Sequence, residues 1–268
     1  MAFQPDEIAG AAARSRQNTV ALLDELTTEE LDREALPGWS VADVFRHLAE
    51  SDRTIVLGKH LLDFLPGASP TDLERGNDRA LQRLRGASRY QLREELQVWG
   101  RRFQRLVRAV PRPLARLKIP TVFGTVSIGW FATTRLYDEW VHQDDVHRVV
   151  GRDQPPMDRR LRELLADFHL AALPAQPLRS VAHGDGVVEV TFTDSPRRLT
   201  WRFDLGARQF GPRVTAEPTV RIRCDVATWC LIAADRIAWE DAESGGDLHL
   251  DGDDRAAAAA VLDVVRVV

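Results

Sequence analysis

One change of pattern constrains this chain more than any other feature. Up to about residue 150, apolar residues recur every three or four positions; after about residue 187 they recur every second position. A single layer of one element type cannot satisfy both periods. The sequence therefore predicts an all-α first part and an α+β second part, with the boundary near 152–157 in Gly151-Arg-Asp-Gln-Pro-Pro156. The 268 residues allow two ordinary domains, 1–154 and 155–268, each able to bury a core without covalent staples.

The helical part divides at its own punctuation. Pro5 to Leu26 carries Ile8, Ala12, Val20, Leu22 and Leu23 at helical spacing, and Thr27-Thr28 ends that helix or caps the next turn. A connector leads to Pro37-Gly38-Trp39-Ser40. Ser40 followed by Asp43 reads as a capping box, opening a helix through Val44, Phe45, Leu48, Ile55 and Leu62 to Pro66-Gly67. Shorter helical signals follow over Thr71–Leu84, then a long amphipathic stretch from Ser88 to Val110 that stops at Pro111. A loop with Pro120 and Gly124 precedes a helix from about Ser127 to Val150. Long amphipathic helices joined this way fit a helical bundle.

Beyond the boundary, a helix is expected over Asp158–Leu173. Strands are expected over Val188–Phe192, Leu199–Leu205 and Thr219–Cys224. Asp225 is placed to cap a helix through Trp229 and Leu231, Leu248–Leu250 reads as a last strand, and Asp253 as the cap of an Ala-rich terminal helix.

Composition narrows the function classes. A net charge of −4 argues against broad nucleic-acid binding. No apolar leader opens the chain and no run of 18 apolar residues occurs, so a cytoplasmic protein without a membrane partner is expected. No protein partner is predicted. Cys224 and Cys230 are not spaced as CxxC and are expected reduced and buried.

Among the seven histidines, two stand out by azimuth. At about 100° per residue, His142 falls inside the apolar arc of the 127–150 helix set by Ile128, Phe131, Leu136, Val146 and Val149. Asp138 lies one turn earlier, about 40° away at the edge of the arc. A carboxylate and an imidazole on one face can share a metal ion, or form a hydrogen bond within the core. Glu139 competes for the carboxylate role through its ExxH spacing, or pairs with Arg135 instead; periodicity leaves this open. His47 flanks the stripe of Val41, Val44, Phe45, Leu48 and Ile55, where it can face a neighbouring helix. Three such ligands would make the open site of a catalytic zinc. Trp39 and Trp140 read as packing anchors, Asp52 as half of a core ion pair, and Arg135, Asp145 and Arg148 as outer groups. His147 projects away from His142, and Arg236 is not favoured as a substrate clamp.

Three blocks carry a family resemblance. Leu26-Thr-Thr-Glu-Glu-Leu31, Pro37-Gly-Trp-Ser-Val-Ala-Asp-Val-Phe-Arg-His-Leu48 and Leu136-Tyr-Asp-Glu-Trp-Val-His-Gln-Asp-Asp-Val-His-Arg148 resemble the mycothiol-dependent maleylpyruvate isomerase family. The resemblance implies an N-terminal DinB-like four-helix bundle and a C-terminal domain like sterol carrier protein 2 (SCP2-like). It also implies a divalent metal, usually zinc, held by His47, Asp138 and His142. Asp138 is favoured over Glu139 because the family's carboxylate stands two residues before a WVH-like tripeptide; a glutamate is common there, so the aspartate is a departure. Mycothiol is implied as thiol cosubstrate, activated at the metal for addition to, or transfer onto, a small electrophile. That makes the chain an isomerase or an S-transferase. A metal-dependent hydrolase and a non-enzymatic binder of a lipid-like small ligand are the alternatives. Of 36 basic residues all but Lys59 and Lys118 are arginine, in keeping with a GC-rich actinobacterial source, where mycothiol is expected.

Overall fold

The computed structural model describes residues 4–58, 81–121, 124–172, 185–195 and 200–265. The expected run of the second helix to Leu62, its Pro66-Gly67 stop and most of the Thr71–Leu84 signal lie outside these residues, as do His60 and His183. The described residues form two compact units that change over at Pro156/Met157, with 124–126 grouped with the second.

The first unit is helical. Its elements are α1 (Pro5–Glu25), α2 (Thr28–Leu31), β1 (Glu34–Leu36), β2 (Trp39–Ser40), α3 (Val41–Val56), α4 (Arg89–Ala109), α5 (Arg112–Ala115), β3 (Lys118–Thr121) and, after β4 (Gly124–Ser127), α6 (Ile128–Val150). Helices α1 and α3 each pack against both α4 and α6. Leu22, Leu23, Leu26, Val44, Phe45, Leu48, Leu92 and Leu96 fill the space between them. The ends follow the sequence signals. Thr27 and Ser40 each cap through a complete capping box, and Gly151 closes α6 in the left-handed region at φ 70°.

Two segments differ from expectation. The 34–40 connector is a short antiparallel hairpin, turned at Gly38 with φ 77°. Strands of two and three residues are too short to register a period-two pattern. The expected loop around Pro120 and Gly124 contains strands β3 and β4 for the same reason, and Pro111 is followed by the single turn α5, where Pro113 occupies an early helical position that needs no N–H.

The second unit contains α7 (Arg159–Ala172), β5 (Val187–Phe192), β6 (Thr200–Asp204), β7 (Gln209–Gly211), β8 (Val220–Cys224), α8 (Val226–Ala233), α9 (Trp239–Gly245), β9 (Leu248–Gly252) and α10 (Arg255–Leu262). Its five strands lie in the order β7-β6-β5-β8-β9, with β5 and β8 parallel and the other neighbours antiparallel. Strand β8 shows the alternation directly: Val220, Ile222 and Cys224 are buried while Arg221 and Arg223 face out. Glu189 on β5 pairs with Arg202 and Arg221 on the outer face. The terminal helix is capped by Asp254, whose carboxylate accepts from the Ala257 N–H, and not by Asp253. Either aspartate suits a cap; the helix starts at Arg255, so only Asp254 reaches the N3 amide. The short strand β7 and the short helix α9 carry no periodic signal.

Neither cysteine is in a disulfide, both are buried, and burial pushes both thiols up. Cys230 Sγ lies 3.3 Å from His169 Nε2. His169 is fully buried, and burial pulls its pKa down to about 3. The unfolded chain binds this proton near pH 6.5 and the folded chain does not until near pH 3, so the histidine's contribution to stability is complete above pH 6.5 and falls as pH drops. Urea unfolding of wild type is expected to lose about 2 kcal/mol more than His169→Gln between pH 7 and pH 5, from a slope of about 1.4 kcal/mol per unit. Equal pH slopes would refute this.

Candidate metal centre

Two helices present the cluster. The capping box of α3 fixes its start, with Ser40 Oγ accepting from the Asp43 N–H at 3.2 Å and Asp43 Oδ2 accepting from the Ser40 N–H at 3.0 Å. His47 follows two turns later, 7% exposed. On α6, Asp138 and His142 stand one turn apart and share a face. His47 Nε2 and His142 Nε2 each lie 3.5 Å from Asp138 Oδ1. One donor atom from each of the three residues lies within 4.8 Å of the others.

These separations can be set against the geometry of a hydrogen bond and of a cation site. At 3.5 Å the imidazole–carboxylate contacts are long for hydrogen bonds. Zinc–ligand bonds of about 2.0–2.1 Å at tetrahedral angles set donors roughly 3.4 Å apart, close to the two imidazole–carboxylate separations. His47 Nδ1 is buried without a hydrogen-bond partner among the described residues, and its Nε2 lies 3.4 Å from Ser51 Oγ as well as 3.5 Å from Asp138 Oδ1. His142 is better held: its Nδ1 lies 2.9 Å from Asp145 Oδ2, leaving Nε2 facing Asp138. A carboxylate on the far nitrogen is the usual support of a metal-binding histidine.

Protonation agrees with this arrangement. Burial holds the His47 pKa below its ordinary value, so the ring is neutral at pH 7. Burial alone would raise the Asp138 carboxyl, but the neighbouring His47, Arg135 and His142 outweigh it and hold it well below the usual carboxylate range. A neutral His47 beside an ionised Asp138 suits a divalent cation, which needs its ligands deprotonated.

Behind the cluster lies a buried charge network that sequence reasoning finds only in part. Arg135 Nη1 donates to Asp138 Oδ2 at 2.8 Å, Nε to Asp52 Oδ1 at 2.9 Å, and Nη2 to the Leu48 carbonyl at 3.1 Å. Arg16, from α1, donates to Asp52 Oδ2 at 2.7 Å and lies 3.1 Å from Glu139 Oε1. Gly100 on α4 makes room for it: a Cβ there would meet Arg16 Cγ at 3.1 Å. Glu139 also accepts from Thr19 Oγ1 at 2.5 Å, and Gln143 Nε2 donates to Thr19 Oγ1 at 2.9 Å. The Glu139 carboxylate is thus committed to α1, and its contact with Arg135 is a looser 3.8 Å. Asp52 is a core ion-pair partner, as its place in the apolar stripe implied. Among these five charged groups, three carboxylates face two guanidiniums, an excess that a cation in the cluster would offset.

Trp39, at the end of the hairpin, lies against both histidine rings, with centroids 5.1 Å from His47 and 6.3 Å from His142. Trp140 is buried in the core. His147 is outside the cluster, Arg148 pairs with Asp144 on the surface, and Arg236 donates to the Ala234 carbonyl at 2.7 Å.

Fold and cluster together define a class: a helical unit presenting two histidines and a carboxylate from two helices, followed by an α+β sheet unit. The family model for the mycothiol maleylpyruvate isomerase N-terminal domain matches residues 12–147, half of the chain. The chain belongs to the mycothiol-dependent maleylpyruvate isomerase family. Two solved structures share its fold. One is a mycothiol-dependent maleylpyruvate isomerase, 16% identical, covering 88% of this chain and 90% of that one with a TM-score of 0.54. The other is a histidine-to-alanine mutant of a mycothiol-dependent maleylpyruvate isomerase, 14% identical, covering 92% and 93% with a TM-score of 0.55. A comparison with curated proteins gives no match. No helix among the described residues is long and apolar enough to cross a membrane.

Proposed function

We propose that this chain is a metal-dependent, mycothiol-dependent enzyme that adds a thiol to, or transfers it onto, a small electrophile, as an isomerase or S-transferase. The observation that carries the reading is the convergence of His47 Nε2, Asp138 Oδ1 and His142 Nε2 in a member of this family. These three residues would hold a divalent ion, zinc by the nitrogen-and-oxygen donor set. Bound there, such an ion supplies deprotonation of a coordinated thiol at neutral pH. On this reading the helical unit is a DinB-like four-helix bundle over 1–154 and the remainder, 155–268, is SCP2-like.

The chain's own residues do the rest. Asp145 holds the proton on His142 Nδ1 and so keeps the Nε2 lone pair free for the ion. Burial keeps His47 neutral. Trp39 covers one side of both rings and restricts water there. Neither cysteine is suited to act as nucleophile, since both are buried with thiols pushed up, so the reactive sulfur arrives on the cosubstrate.

Mycothiol consumption across a panel of electrophiles, maleylpyruvate included, tests the reading. Turnover that needs both thiol and metal is expected. Turnover that continues without thiol and stops on chelation would instead indicate a hydrolase using bound hydroxide.

A further inference from the structure

Asp138 is the most exposed member of the cluster, its side chain 30% accessible. A short carboxylate at such a rim can rotate, hydrate, or offer both oxygens to a cation. Here its second oxygen is taken: Arg135 Nη1 holds Oδ2 at 2.8 Å, which leaves Oδ1 alone facing the two Nε2 atoms. The same guanidinium reaches the other ligand-bearing helix twice, at the carbonyl of Leu48, next in sequence to His47, and at Asp52 one turn further on. Arg16 occupies the remaining oxygen of Asp52, so the anchor of Arg135 cannot swing. The Arg135 side chain is 4% exposed, and no other side chain among the described residues bonds both a ligand carboxylate and the facing ligand-bearing helix in this way.

Building on the metal-centre reading above, we propose that Arg135 is the positioning residue of the centre: it restricts Asp138 to donation through one oxygen and sets the spacing between α3 and α6 at His47. A planar fork is needed for this task. A lysine, a point charge on a flexible stem, could hold Asp52 or Asp138 but not both together with the Leu48 carbonyl.

Cobalt(II) binding provides the test, through affinity and the visible absorption band. Arg135→Lys keeps the charge and loses the fork. Asp52→Asn with Arg135→Gln removes one charge of each sign together, so no new buried charge is left alone and the protein is kept folded. Both variants are expected to bind cobalt about 10–100-fold more weakly than wild type, the usual cost of losing a ligand's outer partner, with an altered band. Affinity and band equal to wild type in either folded variant would overturn the proposal, since a merely structural pair lowers the melting temperature and leaves both unchanged. A crystal structure of the zinc-loaded wild type tests it without any variant. Asp138 bound through Oδ1 with Oδ2 still on Arg135 supports the proposal, and a carboxylate bound through both oxygens overturns it. Wild type that binds neither ion refutes the metal centre itself, an outcome distinct from variants that bind as wild type does.

Discussion

Asp52→Ala is expected to destabilise the helical unit by about 3–5 kcal/mol, the cost of breaking a buried ion pair from one side. The Asp52 side chain is 2% exposed and is gripped from two directions, Arg16 at 2.7 Å and Arg135 at 2.9 Å. Removing it leaves two guanidiniums away from water, with Glu139 and the partly exposed Asp138 as their remaining counter-charges. Domains are stable by only about 5–15 kcal/mol, so the variant should unfold at much lower urea than wild type. The paired change Asp52→Asn with Arg135→Gln should cost less, because it removes one charge of each sign. Urea titration followed by circular dichroism checks both. A loss below about 1 kcal/mol for the single variant would place this network among pairs that water already screens.

His142→Ala should have the larger chemical effect. It removes a proposed ligand and also the partner of Asp145, whose Oδ2 lies 2.9 Å from His142 Nδ1. Divalent-metal affinity should fall by more than the roughly 10–100-fold expected for Asp145→Asn, which removes only the support of the ring. Thiol-dependent turnover should fall with it in both variants, in the same order. Competition against a chromophoric chelator measures the affinities. Asp145→Asn weakening the ion as much as His142→Ala would mean that Asp145 is itself part of the donor set.

Much of the site is legible in the sequence. The azimuths of Asp138 and His142 on α6 follow from 3.6 residues per turn, and the Ser40–Asp43 box fixes where α3 begins and hence where His47 lies along it. The choice between Asp138 and Glu139 is not legible from periodicity, because both sit on or beside the buried arc. What separates them is α1: Arg16 and Thr19 take up the Glu139 carboxylate, and a contact across 120 residues leaves no trace in local spacing. One hint is present. Ser15, Arg16 and Thr19 form a polar interruption on the face of α1 that otherwise carries Ile8, Ala12 and Leu23, and all three are buried. A buried polar group needs a partner, so such an interruption points to a charged network on the facing helices.

The fold shows the same division. Long helices and the alternating strands β5, β6 and β8 carry enough residues for their period to register. The 34–40 hairpin, β7 and the α9 helix do not, being set by turns and by pairing with distant segments. That hairpin matters for the site, because it carries Trp39 to the two histidine rings. A tryptophan in a supposed connector reads as a packing anchor, and only the turn at Gly38 shows what it packs against.

On the proposed reading, His47, Asp138 and His142 hold a divalent ion. The most direct measurement is the metal content of wild type purified under metal-replete conditions, by inductively coupled plasma mass spectrometry on protein of known concentration. One divalent ion per chain is expected for wild type, with loss of that ion in His47→Ala and His142→Ala. Wild type that carries no divalent ion under those conditions would contradict the account.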